Sequence, residues 1–304
     1  MKPQSSTEEN GAKGVAASVA ASCIFGFMYF YATLLAPLTG IEIFGWRMLW
    51  TLPFLTAFMV KAKYWHLVAD IWNRARQTPL LFPLLALSSF LLGVQFWLFL
   101  WAPINNKALL VSLGYLLMPL VMVVCGRFAY KEKLLPYQKI AVVFAAFGVG
   151  NQVYRIGGIS WEVLAVALGF PAYFMLRRKM RTDNLGGLWM DMLFMIPPAL
   201  YSLYTGGSGL SFFAEYPGMY AKVPLLGVIS ATAVAIYITA SKLLPLSLFG
   251  LLGYVEPVLL VCVSFFLGER VAPGEELTYA GVGFAVATLV AGGILRLQRH
   301  RGKK

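Results

Sequence analysis

Apolar runs of about 17–23 residues recur along this chain from one end to the other, and that recurrence restricts what it can fold into. A run of that length matches the hydrocarbon thickness of a bilayer. Inside lipid every backbone N–H and C=O must find its partner within the protein, which favours helices. The spacing predicts ten spans, at about 15–35, 42–60, 79–101, 108–126, 137–153, 160–176, 185–204, 223–241, 247–267 and 277–295. Only 12% of the residues are charged, about half the share of a soluble domain. The expected class is therefore an all-α, multi-pass membrane protein.

The net charge of +12 does not indicate nucleic acid. The basic residues sit in short clusters between apolar runs, where they set orientation. With ten spans, both termini share one side. That side holds 20 of the 25 Lys and Arg residues, in clusters such as Arg177-Arg178-Lys179 and the tail from Arg296. The other side holds four, Lys107, Arg155, Lys222 and Arg270, and Arg47 lies inside a span. The asymmetry predicts cytoplasmic termini and the cytoplasmic (inner) membrane. The first apolar run follows a polar start, MKPQSSTEENGAKG, and lacks a convincing cleavage site, so it reads as a retained helix. Trp46, Trp101, Trp161 and Trp189 fall near span edges, as in an interfacial belt. The connection 61–78 places Tyr64, Leu67, Val68, Ile71 and Trp72 at helical spacing among basic residues. It predicts a short amphipathic helix on the inner surface.

Enzymatic and cofactor chemistry finds little support. Cys23, Cys125 and Cys262 lie inside apolar runs, and His66 and His300 at membrane edges. No disulfide framework, metal set or haem site is expected. There is no Walker A loop and no acyl- or phosphoryl-transfer constellation.

Two stretches resemble one another: SLGYLLMPLVMVVCGRFAYKEKLLP (112–136) and FGLLGYVEPVLLVCVSFFLGERVAP (249–273). They align Gly114 with Gly253, Tyr115 with Tyr254, Pro119 with Pro257, Cys125 with Cys262, Glu132 with Glu269 and Pro136 with Pro273. The copies are five spans apart. Five is odd, so they face opposite ways across the membrane. Inverted repeats with a site near the midplane are a transporter signature.

These residues also carry a family resemblance. IEIFGWRMLW (41–50), SLGYLLMPL (112–120), LPLSLFGLLGYVEPVLL (244–260) and LGERV (267–271), in that order, resemble the EamA type of the drug/metabolite transporter superfamily, and within it the RarD-like permeases. The resemblance covers nearly the whole chain. It implies ten helices as two inverted five-helix halves around a central cavity, and transport of small metabolites or drugs. The halves would be 15–153 and 154–295, with a cytoplasmic N-terminal tail at 1–14 and a basic tail at 296–304. The chain departs from the pattern at Tyr130-Lys131-Glu132, where Gly-Glu is expected, and at Asp191, where a Glu is expected.

Polar groups at membrane depth are the candidate site. Glu256 lies about ten residues from either end of its span, where an ionised group costs about 2.5–3.5 kcal/mol or more. Pro257 lacks an N–H and frees the carbonyl of Gly253, so a kink lining a cavity is expected beside Glu256. Pro119 does the same to Tyr115, where packing is the stronger reading. Arg47 is expected toward the outer gate; pairing with Glu42 is poorly placed for it. Gln95, Ser112, Tyr115, Thr232, Tyr237 and Thr239 are candidates to line a polar path, and Trp97 and Tyr254 to stack on a substrate. Each has packing or interhelical hydrogen bonding as its alternative role. Asp191 is expected to cap or to pair with Arg177, Arg178 or Lys179.

The expectation is a secondary transporter of a small organic substrate, working by alternating access, with Glu256 a candidate for proton coupling. Uncoupled facilitation or exchange fits equally. A non-transporting sensor or assembly factor would need a soluble module, and the longest connections are short. A lipid-modifying intramembrane enzyme would need clustered acids or histidines.

Overall fold

The computed structural model describes residues 3–104, 107–207, 210–256, 258–259 and 274–301, and among these every regular element is an α-helix. Thirteen helices follow in order: α1 (Pro3–Thr33), α2 (Gly40–Lys61), α3 (His66–Gln77), α4 (Leu81–Ile104), α5 (Ala108–Ala129), α6 (Pro136–Ile156), α7 (Trp161–Met180), α8 (Leu185–Phe194), α9 (Ile196–Gly206), α10 (Leu210–Glu215), α11 (Met219–Leu243), α12 (Leu246–Leu252) and α13 (Glu276–Arg301). Four contain stretches long and apolar enough to cross a membrane: Gly11–Thr33, Gly40–Lys61, Leu81–Leu98 and Met219–Leu243.

The count departs from ten for local reasons. The connection at 61–78 holds α3, and the loop before α11 holds α10. The run at 185–204 is two helices meeting at Met195. Pro197 and Pro198 carry no N–H, so the carbonyls of Leu193 and Phe194 lose their helical partners and the rod breaks there. The run that begins as α12 is interrupted too. Gly253 and Tyr254 form a turn, closed by Gly253 N–H to Gly250 O (2.9 Å) and Tyr254 N–H to Leu251 O (3.2 Å), before helical backbone resumes at Val255 and Glu256. Pro257, Cys262, Glu269 and Pro273 lie outside the described residues.

The helices pack through small residues and apolar stripes. The main neighbours are α6 with α13, α1 with α11, α5 with α7 and α12, α2 with α9 and α11, and α4 with α7 and α8. The largest core cluster gathers Met48 and Leu55 of α2, Tyr173 of α7, Met192 of α8, Ile238 of α11 and Phe249 of α12. A second joins Leu113 of α5, Ala141 and Ala145 of α6, and Val282 and Ala285 of α13. The start of α2 is fixed by a capping box. Glu42 Oε2 accepts from Thr39 N–H (2.8 Å), and Glu42 N–H approaches Thr39 Oγ1 (3.5 Å).

Glycine placement separates close approach from mere absence of bulk. Gly148 and Gly281 face each other where α6 crosses α13, and a Cβ on Gly281 would stand 2.8 Å from Gly148 Cα. Gly150 and Gly283, one turn-face away, have open space around them. Gly281→Ala should therefore destabilise the fold by about 1–3 kcal/mol through overpacking. Gly283→Ala should stabilise α13 by up to about 1 kcal/mol through helix propensity. Thermal unfolding of both variants in detergent, beside the parent, reads the opposite signs.

Candidate functional site

The buried stripe of α2 runs through Phe44, Met48, Thr51, Leu55 and Met59, and Arg47 projects from its margin into the bundle. Its Nε donates to Ser230 Oγ on α11 (2.9 Å), and its guanidinium carbon lies 4.9 Å from the ring centre of Phe96 on α4. A guanidinium over an aromatic face keeps its charge without full hydration. Glu42 is engaged at the helix cap, so it is not the partner of Arg47. Glu256, immediately after the break at Gly253–Tyr254, lies within electrostatic range of Arg47. Tyr115 of α5 interacts electrostatically with both, and Tyr237 of α11 with Glu256 and Tyr115. All four side chains are partly exposed. One acid, one base and two phenols thus converge from four segments.

Aromatic rings wall this constellation. Tyr115 lies beside Phe170 of α7 (6.1 Å between ring centres). Tyr237 meets Phe249 (4.8 Å), Phe25 (5.7 Å) and Phe174 (5.9 Å). Such a compartment can hold a small molecule by its rings and orient it by one or two polar groups.

The other expected residues fall elsewhere. Tyr254 is fully buried, and its hydroxyl donates to Leu116 O on α5 (2.8 Å), so it joins the two repeat-motif stretches. Gln95 is buried against α7, donating to Ala165 O (3.0 Å); its Oε1 finds no partner among the described residues. A Cβ at Gly169 would collide with that amide, so a glycine there is what admits it. Trp97 is 42% exposed on the outward face of α4 that also carries Phe90. Pro119 is buried within α5, and the Tyr115 hydroxyl donates to Gln95 O at 3.4 Å. Thr232 and Thr239 turn their hydroxyls back onto Val228 O and Ala235 O of their own helix. Gly253 occupies the turn itself.

Two clusters carry charge outside this compartment. Asp191 of α8 is fully buried and accepts from Ser88 Oγ (3.1 Å) and Ser89 Oγ (2.8 Å) of α4 and from Tyr173 OH of α7 (2.8 Å). Arg177 Nη1 of α7, also buried, stands 3.5 Å away from it. This is the expected Arg177 pairing, with a hydroxyl shell the sequence did not disclose. At the ends of α5, α7, α11 and α12 lies a second arrangement. Glu132 accepts from the N–H groups of Leu246 (2.8 Å) and Ser247 (2.9 Å), so its carboxylate caps α12. Arg178 donates to Ser241 O and Leu244 O (both 2.8 Å) at the end of α11 and stands 3.9 Å from Glu132. Its guanidinium also covers the Tyr130 ring at 5.5 Å, and burial holds that phenol above its usual pKa, so the ring stays neutral. Glu132 entered the sequence reading only as a repeat landmark. Its capping role depends on residues 114 and 115 positions away.

Residues 12–150 match the model of the EamA-like transporter family. The chain is 41% identical over 295 residues to the chloramphenicol-sensitive protein RarD of Pseudomonas aeruginosa, covering 95% of this chain and 98% of that protein. It is 40% identical over 260 residues to an uncharacterized transporter of Haemophilus influenzae, covering 85% and 87% respectively. A solved crystal structure aligns with a TM-score of 0.62 over 92% of this chain and 98% of its own, at 15% identity, which speaks to the fold alone.

Both peripheral clusters can be tested by stability. Arg177→Met leaves Asp191 buried without its counter-charge and should cost about 3–5 kcal/mol, while the double variant with Asp191→Leu should recover much of it. Glu132→Ala removes a cap and should cost about 1–2 kcal/mol, and Glu132→Gln less. Fluorescence-monitored thermal melting in detergent measures each.

Proposed function

Since the chain belongs to the EamA-like transporter family, with RarD among its relatives, we propose that this multi-pass membrane transporter is a secondary carrier. It moves a small organic metabolite or drug across the cytoplasmic membrane by alternating access, without enzymatic turnover. The observation that carries this reading is the convergence of Arg47, Tyr115, Tyr237 and Glu256 inside an aromatic-walled interior. A membrane protein that only needed stability would gain little from an acid and a base held partly open at that depth.

Two inverted five-helix halves, 15–153 and 154–295, form the moving parts. The packing supports this division. Exchange α1 with α7, α2 with α8–α9, α4 with α11, α5 with α12, and α6 with α13. Each principal contact then maps onto another: α2 on α11 becomes α8 on α4, α4 on α7 becomes α11 on α1, and α5 on α7 becomes α12 on α1. The contacts α6 on α13, α5 on α12 and α2 on α9 pair with themselves under this exchange, as contacts beside a pseudo-twofold axis would. Charge asymmetry supports cytoplasmic termini. Rocking of one half against the other would then open the site to each side in turn.

Within the site, Glu256 binds a cationic or hydrogen-bonding group of the substrate or takes the coupling proton. Arg47 receives an acceptor, and Tyr115 and Tyr237 orient the molecule between rings. Amphipathic or aromatic compounds fit such walls, and the name of the Pseudomonas aeruginosa relative makes chloramphenicol one probe to include.

The test is uptake and efflux of chloramphenicol and a panel of aromatic metabolites in vesicles carrying the wild type, Glu256→Gln or Arg47→Gln at matched levels. A compound that redistributes with the wild type should do so about ten-fold more slowly with either variant, as expected when one productive interaction of about 1.4 kcal/mol is lost. Dependence on an imposed pH gradient should vanish in Glu256→Gln. Equal rates in all three proteins would remove both residues from the mechanism.

A further inference from the structure

A cavity of about 390 Å³ lies away from the compartment just described, between the ends of α2 and α11, the start of α8 and the segment leading into α3. Its floor is apolar, formed by Ala17, Phe58, Leu67, Leu185 and Ile238. Its rim carries one cation, Lys242, and one anion, Asp183, together with Asn184 and Tyr64. Phe58 and Tyr64 are 49% and 43% exposed, so the cavity is continuous with the aromatic outer surface of the protein.

The walls are fixed rather than incidental. A Cβ at Gly186 would stand 2.6 Å from the Leu67 carbonyl carbon, so α3 is pressed onto α8. Trp65 meets Trp189 edge to face at 5.2 Å, and Trp189 Nε1 donates to Thr56 Oγ1 (2.7 Å). These contacts seat α3, and with it Leu67 and Tyr64, beside the groove. Arg74 ties the far end of α3 to Met180 O (2.6 Å).

We propose that this groove is a phospholipid site: one acyl chain lies on the apolar floor, and a zwitterionic ethanolamine headgroup spans the rim. The phosphate meets Lys242 and the ammonium meets Asp183. Among the described residues neither Lys242 nor Asp183 forms an ion pair, although Asp183 acts electrostatically on Tyr130. The groove opens among side chains that lipid tails contact, and on the orientation proposed above it lies at inner-leaflet depth, where α3 sits as an interfacial helix. A water-filled substrate passage would call for polar walls, and these are mostly apolar. A single anionic headgroup would leave Asp183 facing a like charge. The inference goes beyond the transport reading and uses none of its site residues.

Native mass spectrometry of the detergent-purified full chain, titrated with phosphatidylethanolamine, phosphatidylglycerol or phosphatidylcholine, tests it. Phosphatidylethanolamine should give the most persistent one-lipid adduct. Lys242→Gln should weaken it about five-fold, the effect of one basic residue at a lipid surface. Asp183→Asn should narrow the preference over phosphatidylglycerol, and Thr239→Trp, at an exposed wall position, should abolish the adduct by filling the groove. Glu256→Gln should leave binding unchanged, which separates this site from transport. Size-exclusion profiles establish that each variant is folded, and the two chemically different rim variants guard against one that is not. Equal binding of all three lipids, or adducts indifferent to Lys242→Gln and Thr239→Trp, would overturn the proposal. So would loss of transport in Thr239→Trp with lipid binding intact, which would make the cavity part of the substrate path.

Discussion

Every charge inside this bundle must be answered locally, because the surrounding bilayer offers neither water nor counter-ions. The two interior acids show two ways of meeting that requirement. Asp191 is surrounded: three hydroxyls and one guanidinium occupy its oxygens, and it is sealed from solvent. Such a group is expensive to disturb, and it ties α4, α7 and α8 into one unit. Glu256 is left partly open, with Arg47 acting across the compartment and two phenols nearby. An answered charge holds structure. A partly answered one retains free energy for a ligand or a proton, and that contrast separates the scaffold from the proposed site.

The backbone follows the same logic. Its breaks fall where carbonyls have other uses or where small residues let chains touch. Met195 ends α8 just before two prolines, and Gly253 ends α12 just before Glu256. The second break separates Glu256 from the helix that precedes it. That short helix is held at its start by the Glu132 carboxylate, which also faces Arg178. A seven-residue helix gains little stability from its own turns. Capping by Glu132 from outside therefore supports the helix that leads to Glu256.

Legibility in the sequence follows the range of the interaction. The all-helical class was readable because apolar length is a property of each run, and four stretches are long and apolar enough to cross a membrane; α3 was readable from the spacing of Val68, Ile71 and their neighbours. Arg47, Tyr115, Tyr237 and Glu256 were readable as candidates because polar residues in lipid demand a reason. What could not be read was azimuth. Trp97 lies one position from Phe96, yet Phe96 supports Arg47 while Trp97 faces outward, a difference set by how α4 is rotated against its neighbours. Gln95 and Tyr254 looked equally suited to a cavity, and both are spent on interhelical hydrogen bonds. The split at Met195 has its signal in Ile196-Pro197-Pro198, but the apolar run continues through it and masks the break.

The imperfect repeat is itself informative once its parts have physical roles. Tyr115 and Tyr254 are matched landmarks, yet one faces the charged compartment and the other is a buried strut between α5 and the segment after α12. Met118 stands before Pro119 and is buried, whereas Glu256 stands before the matching Pro257 of the sequence. On the proposed division into two halves, duplication supplies a shell whose contacts map onto one another. Function needs that shell to be unequal at its centre, since two opposed carboxylates at one depth would repel and a symmetric pair of arginines would do the same. On the two-half reading proposed above, the acid stands on one half and Arg47 on the other, so a molecule inserting between them would have to compete with their mutual attraction before the halves could part.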